Sequence, residues 1–211
     1  CALEQGKKVF YTTPLKALSN QKYNDFSEKY GIDKVGLLTG DTSINRGAQI
    51  VVMTTEVFRN MLYGTNFGSV TDNLKDVKYV ILDEVHYMND EQRGTVWEES
   101  IIYCPTNVQI VALSATVANA DKLTEWINTV HSRTELINTD FRPVPLRFYY
   151  FDSSQPNTLL PLLTPNGTLN KKIKPEKKEF KRGKAVQKRN TVKDVVRNLH
   201  EKNMLPAIYF T

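Results

Sequence analysis

Tyr79-Val80-Ile81-Leu82-Asp83-Glu84-Val85-His86 is the stretch from which the fold follows. A short apolar run ends abruptly in two adjacent carboxylates. That pattern marks a buried parallel strand, which is covered on both faces and so lacks the alternation of a half-exposed one. Open α/β sheets collect ligands at the carboxyl ends of their strands, so Asp83 and Glu84 predict an acid pair at such an edge. Paired carboxylates suit phosphate chemistry: one holds a magnesium ion, usually through water, and the other polarises an attacking water. A strand followed by a solvated acidic turn is the simpler account of the two residues in isolation, so the flanking chain has to decide.

On either side the same unit recurs. Residues 7–12, 35–38, 49–53, 77–82 and 108–113 read as strands, with helices predicted from Pro14 to about 30, from 55 to 63, from Asn89 or Asp90 to 103, and from Asn119 to 130. Strands alternating with helices argue for an α/β fold with a parallel sheet. Four strand ends carry small hydroxyl or acidic residues: Thr12-Thr13, Thr54-Thr55, Asp83-Glu84 and Ser114-Ala115-Thr116. Each hydroxyl pair taken singly reads as a helix cap. Together, on one edge of a parallel sheet, they suit phosphate groups.

The 211 residues are 40% hydrophobic, enough for a core. No apolar run reaches the length of a membrane span and no signal-peptide pattern opens the chain, so no membrane partner is expected. Cys1 and Cys104 lack disulfide or zinc spacing, which points to a reducing compartment and a cytoplasmic location. The start at Cys1, close before a strand and without a methionine, predicts that further sequence precedes it. Net charge is +5, but residues 165–190 hold ten Lys/Arg against two Glu, or +8, leaving −3 elsewhere. The basicity is therefore local, and it fits a solvated loop or added electrostatic affinity for a nucleic acid. Residues 152–190, rich in Pro, Asn and Lys, predict a flexible loop. Residues 146–151 read as extended, 191–201 as a helix, and 207–211 as a further strand.

Six segments then match a family in order. Pro14-Leu15-Lys16-Ala17-Leu18-Ser19-Asn20-Gln21, Thr39-Gly40-Asp41, Thr54-Thr55-Glu56-Val57-Phe58-Arg59, Asp83-Glu84-Val85-His86, Ser114-Ala115-Thr116 and Ile208-Tyr209-Phe210-Thr211 resemble motifs Ia, Ic, Ib, II, III and IV of superfamily-two helicases. Leu37-Leu38-Thr39-Gly40-Asp41 with Ser43-Ile44-Asn45, Arg93-Gly94 leading to Trp97-Glu98-Glu99, and Arg142-Pro143-Val144-Pro145-Leu146 resemble the superkiller-type DExH RNA helicases.

The resemblance implies a RecA-like P-loop NTPase fold. Residues 1–140 would be a first RecA-like domain incomplete at its N-terminus, 141–190 a linker with a basic loop, and 191–211 the start of a second RecA-like domain. It implies ATP and Mg2+ as cofactors. Asp83 would hold the metal, Glu84 would orient the attacking water, His86 would link the nucleotide to motif III, and Ser114 and Thr116 would couple the two. Pro14, Lys16, Asn20, Gln21, Gly40, Asp41, Thr55 and Arg59 would line a path for single-stranded RNA or an RNA duplex with a single-stranded tail, alongside RNA-processing protein partners. Phe58, Tyr63 and Trp97 fit either base stacking or the core. The family's Gly-x-Gly-Lys-Thr loop does not occur in this sequence, which predicts poor ATP hydrolysis by these residues alone. A DNA repair helicase of the same superfamily and a non-catalytic nucleic-acid-binding module are the alternatives.

Overall fold

Strand β1 (Lys8–Thr13) leads through Pro14 into helix α1 (Lys16–Tyr30), and the unit then repeats. Strands β2 (Val35–Leu38), β3 (Ser43–Ile44) and β4 (Ile50–Thr54) precede helix α2 (Thr55–Leu62). Strand β5 (Val77–Leu82) ends at the acid pair, followed by a 3-10 turn (Val85–Asn89), helix α3 (Thr95–Ile102), strand β6 (Gln109–Ala112) and helix α4 (Ala120–Val130). These coordinates are a computed structural model that describes residues 2–64, 73–115, 119–139, 141, 143–151, 159–173, 192–208 and 210.

The sheet order is β3-β2-β4-β1-β5-β6, parallel throughout except for β3. The five parallel strands are those expected from the apolar runs. The chain leaves β1 to one side for β2 and β4 and crosses to the other for β5 and β6. The carboxyl ends of β1 and β5 therefore lie together where the strand order reverses, the place at which such sheets bind ligands.

Alternate side chains feed two cores, one on each face. Phe10, Val51, Met53, Val80 and Leu82 pack with Phe58 of α2 and Ile101 of α3, whereas Tyr11, Leu37, Ile50 and Val52 pack with Tyr23 and Phe26 of α1. Burial on both faces is why these strands read as continuous apolar runs. Phe58 and Trp97 are fully buried, which assigns both to the core, while Tyr63 is 46% exposed.

Strand β3 was not expected. Thr39 N–H closes on Thr42 C=O (2.8 Å), returning the chain antiparallel to β2. Gly36 makes room for it: a Cβ there would lie 2.3 Å from the Asn45 carbonyl. Two residues are too few for periodicity to reveal. Asn119 stands at the N-cap of α4 without a side-chain cap bond.

The chain divides into two compact units, Cys1–Asn138 and Thr139–Thr211. In the second, β7 (Tyr149–Phe151) pairs antiparallel with β8 (Leu159–Pro161), and a helix, α5, covers Val192–Glu201. Strand β8 corrects the expectation of a loop through its residues: Leu159 and Leu160 pair with Phe151 and Tyr150, a strand pairing that composition does not register. The strand expected at 207–211 is not formed at residues 207, 208 and 210, where no neighbouring strand pairs with it. Of the basic stretch, Lys171 and Lys172 are described; its other Lys and Arg residues lie outside the described residues.

Candidate active site

Backbone hydrogen bonds carry β5 past its last regular residue into the acid pair. Asp83 N–H donates to Thr12 C=O (3.0 Å) across to β1, and Leu113 N–H donates to Leu82 C=O (2.9 Å) on the other side. The Asp83 carboxylate is held at both oxygens: Tyr11 O–H donates to Oδ2 at 2.7 Å and Glu84 N–H to Oδ1 at 3.0 Å. Burial, followed by the hydrogen bond to Asp83, pushes the Tyr11 phenol well above its ordinary range, so it stays a donor.

Glu84 then adopts the left-handed conformation, φ 54° and ψ 46°. A side chain with a Cβ pays about 1 kcal/mol there, and such strain persists where surrounding contacts over-determine it. Here Val85 N–H donates to Leu113 C=O (2.8 Å), anchoring the turn to the end of β6. The reversal brings His86 back: its Nδ1 lies 3.3 Å from Glu84 Oε2 and 3.3 Å from Ser114 Oγ. With its proton on Nδ1, the ring donates toward Glu84 and Ser114 is a second oxygen within reach. Asp83, Glu84, His86 and Ser114 thus converge on one sheet edge, each partly or well exposed. Thr116 lies outside the described residues.

The residues expected on a nucleic-acid path occupy two helix starts and one hairpin at the same strand ends. Pro14 is buried in the β1–α1 turn, while Lys16, Asn20 and Gln21 are exposed on α1. Lys16 pairs with Asp41 in the exposed Gly40-Asp41 hairpin, and that bond, with a second from Thr39 (2.9 Å), holds the Asp41 carboxyl below the usual range. Thr55 is buried and its hydroxyl donates to Thr13 C=O (3.2 Å), so what it can offer outside is its backbone at the start of α2. Arg59 faces Glu99 at 3.5 Å. The hydroxyls are not simple caps: Thr54 stands at the N-cap of α2 with no side-chain cap bond, and the Thr13 hydroxyl donates to Leu15 C=O (3.0 Å).

Two participants were not singled out as site residues by sequence reasoning. Tyr11 reads as one more strand aromatic, because nothing local shows that β1 lies beside β5. Arg93 reads as part of a family signature, yet its guanidinium donates to Pro14 C=O (2.6 Å) and to the Glu56 carboxylate.

Asp83 offers hard carboxylate oxygens at a partly exposed position, each already fixed by one donor and each retaining lone pairs. That donor chemistry suits Mg2+, which keeps several of its waters when bound through one or two carboxylates. Cys104, by contrast, is buried, and burial pushes its thiol up to about 12, which leaves it no nucleophilic role.

Comparison with known proteins identifies the family. The model of the DEAD/DEAH box helicase family matches residues 2–123. The DExH-box ATP-dependent RNA helicase DExH15, chloroplastic, of Arabidopsis thaliana is 54% identical over 171 residues, 80% of this chain and 14% of that protein. The probable helicase HelY of Mycobacterium tuberculosis is 53% identical over 145 residues, covering 69% of this chain and 16% of its own length. The human exosome RNA helicase MTR4 is 39% identical over 228 residues, covering 100% of this chain and 21% of its own. The chain therefore spans about a fifth or less of these relatives. It belongs to the DEAD/DEAH box helicase family.

Proposed function

We propose that the protein to which this chain belongs is an ATP-dependent RNA helicase, coupling ATP hydrolysis to movement along RNA and to its unwinding. The observation that carries the reading is the convergence of Asp83, Glu84, His86 and Ser114 at the sheet edge that also bears Lys16, Asn20, Gln21, Gly40, Asp41 and Arg59. The names of the relatives support RNA over DNA as the substrate. Residues 1–140 act as a first RecA-like domain and 191–211 as the beginning of a second, with 141–190 between them. The free, buried Cys104 agrees with a cytoplasmic, reducing setting. No helix among the described residues is long and apolar enough to cross a membrane.

In this mechanism Asp83 would hold Mg2+, with Tyr11 and the Glu84 amide keeping its carboxylate oriented. The ion supplies charge neutralisation and Lewis acidity toward the phosphates. Glu84 orients a water for in-line attack and takes its proton. Its left-handed backbone sets the direction in which the side chain leaves the end of β5. His86 and Ser114 link that carboxylate to the end of β6. Lys16 and the backbone at the α1 and α2 starts hold the sugar-phosphate chain, which gives tracking with little base readout.

The test is Glu84→Gln in the longest natural chain that contains these residues. It should bind ATP and single-stranded RNA as before while hydrolysis falls about a hundredfold or more, the range expected for loss of a general base. Undiminished turnover would exclude Glu84 from this role, and equal competition by matched single-stranded DNA would shift the substrate reading.

A further inference from the structure

Arg93 sits nine residues beyond Glu84 and touches three separate elements. Its Nη2 donates to Pro14 C=O at 2.6 Å, in the turn that opens α1, and to the carboxylate of Glu56 in the first turn of α2. The guanidinium also lies over the Trp97 ring, 5.8 Å from its centre, and Trp97 is fully buried beneath it. Its own backbone is pinned from the acid-pair side. Arg93 N–H donates to Asp90 Oδ1 (2.9 Å), and Gly94 N–H donates to Asp90 C=O (2.8 Å). Gly94 permits the segment to fold tightly on the 3-10 turn, since a Cβ there would lie 2.2 Å from the Met88 carbonyl.

The side chains of Arg93 and Glu56 are 35% and 33% exposed, so solvent screens the pair and it adds little to stability. The geometry is nevertheless exacting: one terminal nitrogen of the guanidinium satisfies a backbone carbonyl and a carboxylate while the group lies over an indole, an arrangement a lysine reproduces only in part. Thr55 makes the parallel connection, its hydroxyl bonding Thr13 C=O (3.2 Å). The two helix starts proposed to hold nucleic acid are thus tied to each other by Thr55, and both are tied to the segment leaving the Glu84 turn by Arg93.

We propose that Arg93 is a positioning residue that clamps the Pro14 turn and the first turn of α2 to the chain leaving Glu84, so that nucleic acid held at those two turns sets the placement of the Glu84 carboxylate. This rests on the helicase reading above. Nucleic acid drawing on the α1 and α2 starts moves the Pro14 carbonyl and Glu56 together, and Arg93 passes that displacement to the 3-10 turn. The coupling is reciprocal: the state of the Glu84 turn alters affinity at the two helix starts by the same route.

The test is steady-state ATPase of the longest natural chain containing these residues, with and without a single-stranded oligouridine, in Arg93→Met, Arg93→Lys, Glu56→Gln and the Arg93→Met/Glu56→Gln double variant. The readout is the ratio of stimulated to unstimulated rate, which a purely structural role leaves unchanged because it lowers both rates together. Arg93→Met should lower the ratio about tenfold, as expected for loss of a charge-assisted hydrogen bond, and the double variant should lower it no further. Arg93→Lys should restore part of it. Should Arg93→Met not fold, Glu56→Gln, which keeps side-chain shape, carries the same comparison. An unchanged ratio in the folded variants overturns the proposal. A parent protein that neither oligouridine nor its deoxy counterpart stimulates overturns the helicase reading instead.

Discussion

Replacing Tyr11 by Phe removes one oxygen and leaves the ring, so its effect isolates the bond to Asp83. The phenol donates at 2.7 Å to Asp83 Oδ2, and Tyr11 is only 8% exposed, packed edge-on against Phe26 with ring centres 5.2 Å apart. A hydrogen bond to a charged acceptor contributes about 1.5–3 kcal/mol. Asp83 is partly exposed and keeps its bond from Glu84 N–H, so water recovers part of the loss and about 1–2 kcal/mol is the net expectation at neutral pH. For the unit Cys1–Asn138, an unfolding entropy of roughly 0.3 kcal/mol/K converts that into a fall in Tm of about 3–7 °C. The pH dependence gives a second, independent sign. In the folded protein the Tyr11 phenol titrates above its unfolded value of 10.0. Above that value the unfolded chain has released this proton while the native state keeps it. The native state then binds more protons, and stability falls as pH rises. The contribution is complete below pH 10 and lost progressively above it. The Phe variant lacks this component, so the two stability curves should converge in alkaline solution. Urea denaturation at a series of pH values reads both effects. Equal stability at neutral pH, or two curves that stay parallel above pH 10, would refute the Tyr11–Asp83 argument.

Two further substitutions probe the same edge. At Glu84 the left-handed backbone favours glycine, so Glu84→Gly should be more stable than Glu84→Ala by about 1 kcal/mol although both lose the carboxylate, a reversal of the usual order that thermal unfolding will show. Asp41→Asn releases Lys16 from its ion pair; single-stranded RNA should then bind more tightly and the slope of log affinity against log salt should steepen by roughly 0.7, one extra phosphate contact. Weaker binding in filter or anisotropy titrations would place Lys16 off the path.

The parallel sheet was legible because burial on both faces leaves apolar runs such as 35–38 and 50–53 that need no partner to be recognised. The acid pair became legible only in company, from the hydroxyl-bearing strand ends beside it and the ordered motifs, and its neighbours Ser114 and His86 followed from the same motifs. What escaped depends on contacts distant in sequence. Strand β3 exists because Gly36 lets residues 43–45 approach β2, and two residues carry no period. Strand β8 lies in a stretch whose composition resembles a linker, and only its pairing with Tyr149–Phe151 makes it a strand. Thr55 was expected on a nucleic-acid path from the family resemblance alone. Its burial becomes apparent only when the β1 end is laid beside α2.

Strand β1 joins the edge proposed to hydrolyse ATP to the edge proposed to hold nucleic acid, and its register is what makes that possible. It pairs with β5 so that Tyr11 faces Ile81 and Thr12 faces Leu82, after a shift between Lys8 and Val9. In that register Thr12 C=O receives the Asp83 amide and the Tyr11 hydroxyl reaches the Asp83 carboxylate. Two residues later the same strand ends in the carbonyls of Thr13 and Pro14, which Thr55 and Arg93 hold. A slip of one residue would turn Tyr11 to the opposite face and separate these functions. Both cores resist the slip, since Phe10 and Tyr11 are buried on opposite sides of the sheet. The packing that sets β1 against β5 therefore also brings the acid pair close to the turn that opens α1, so that a central strand built from Phe10-Tyr11-Thr12-Thr13 is the shared base from which both are positioned.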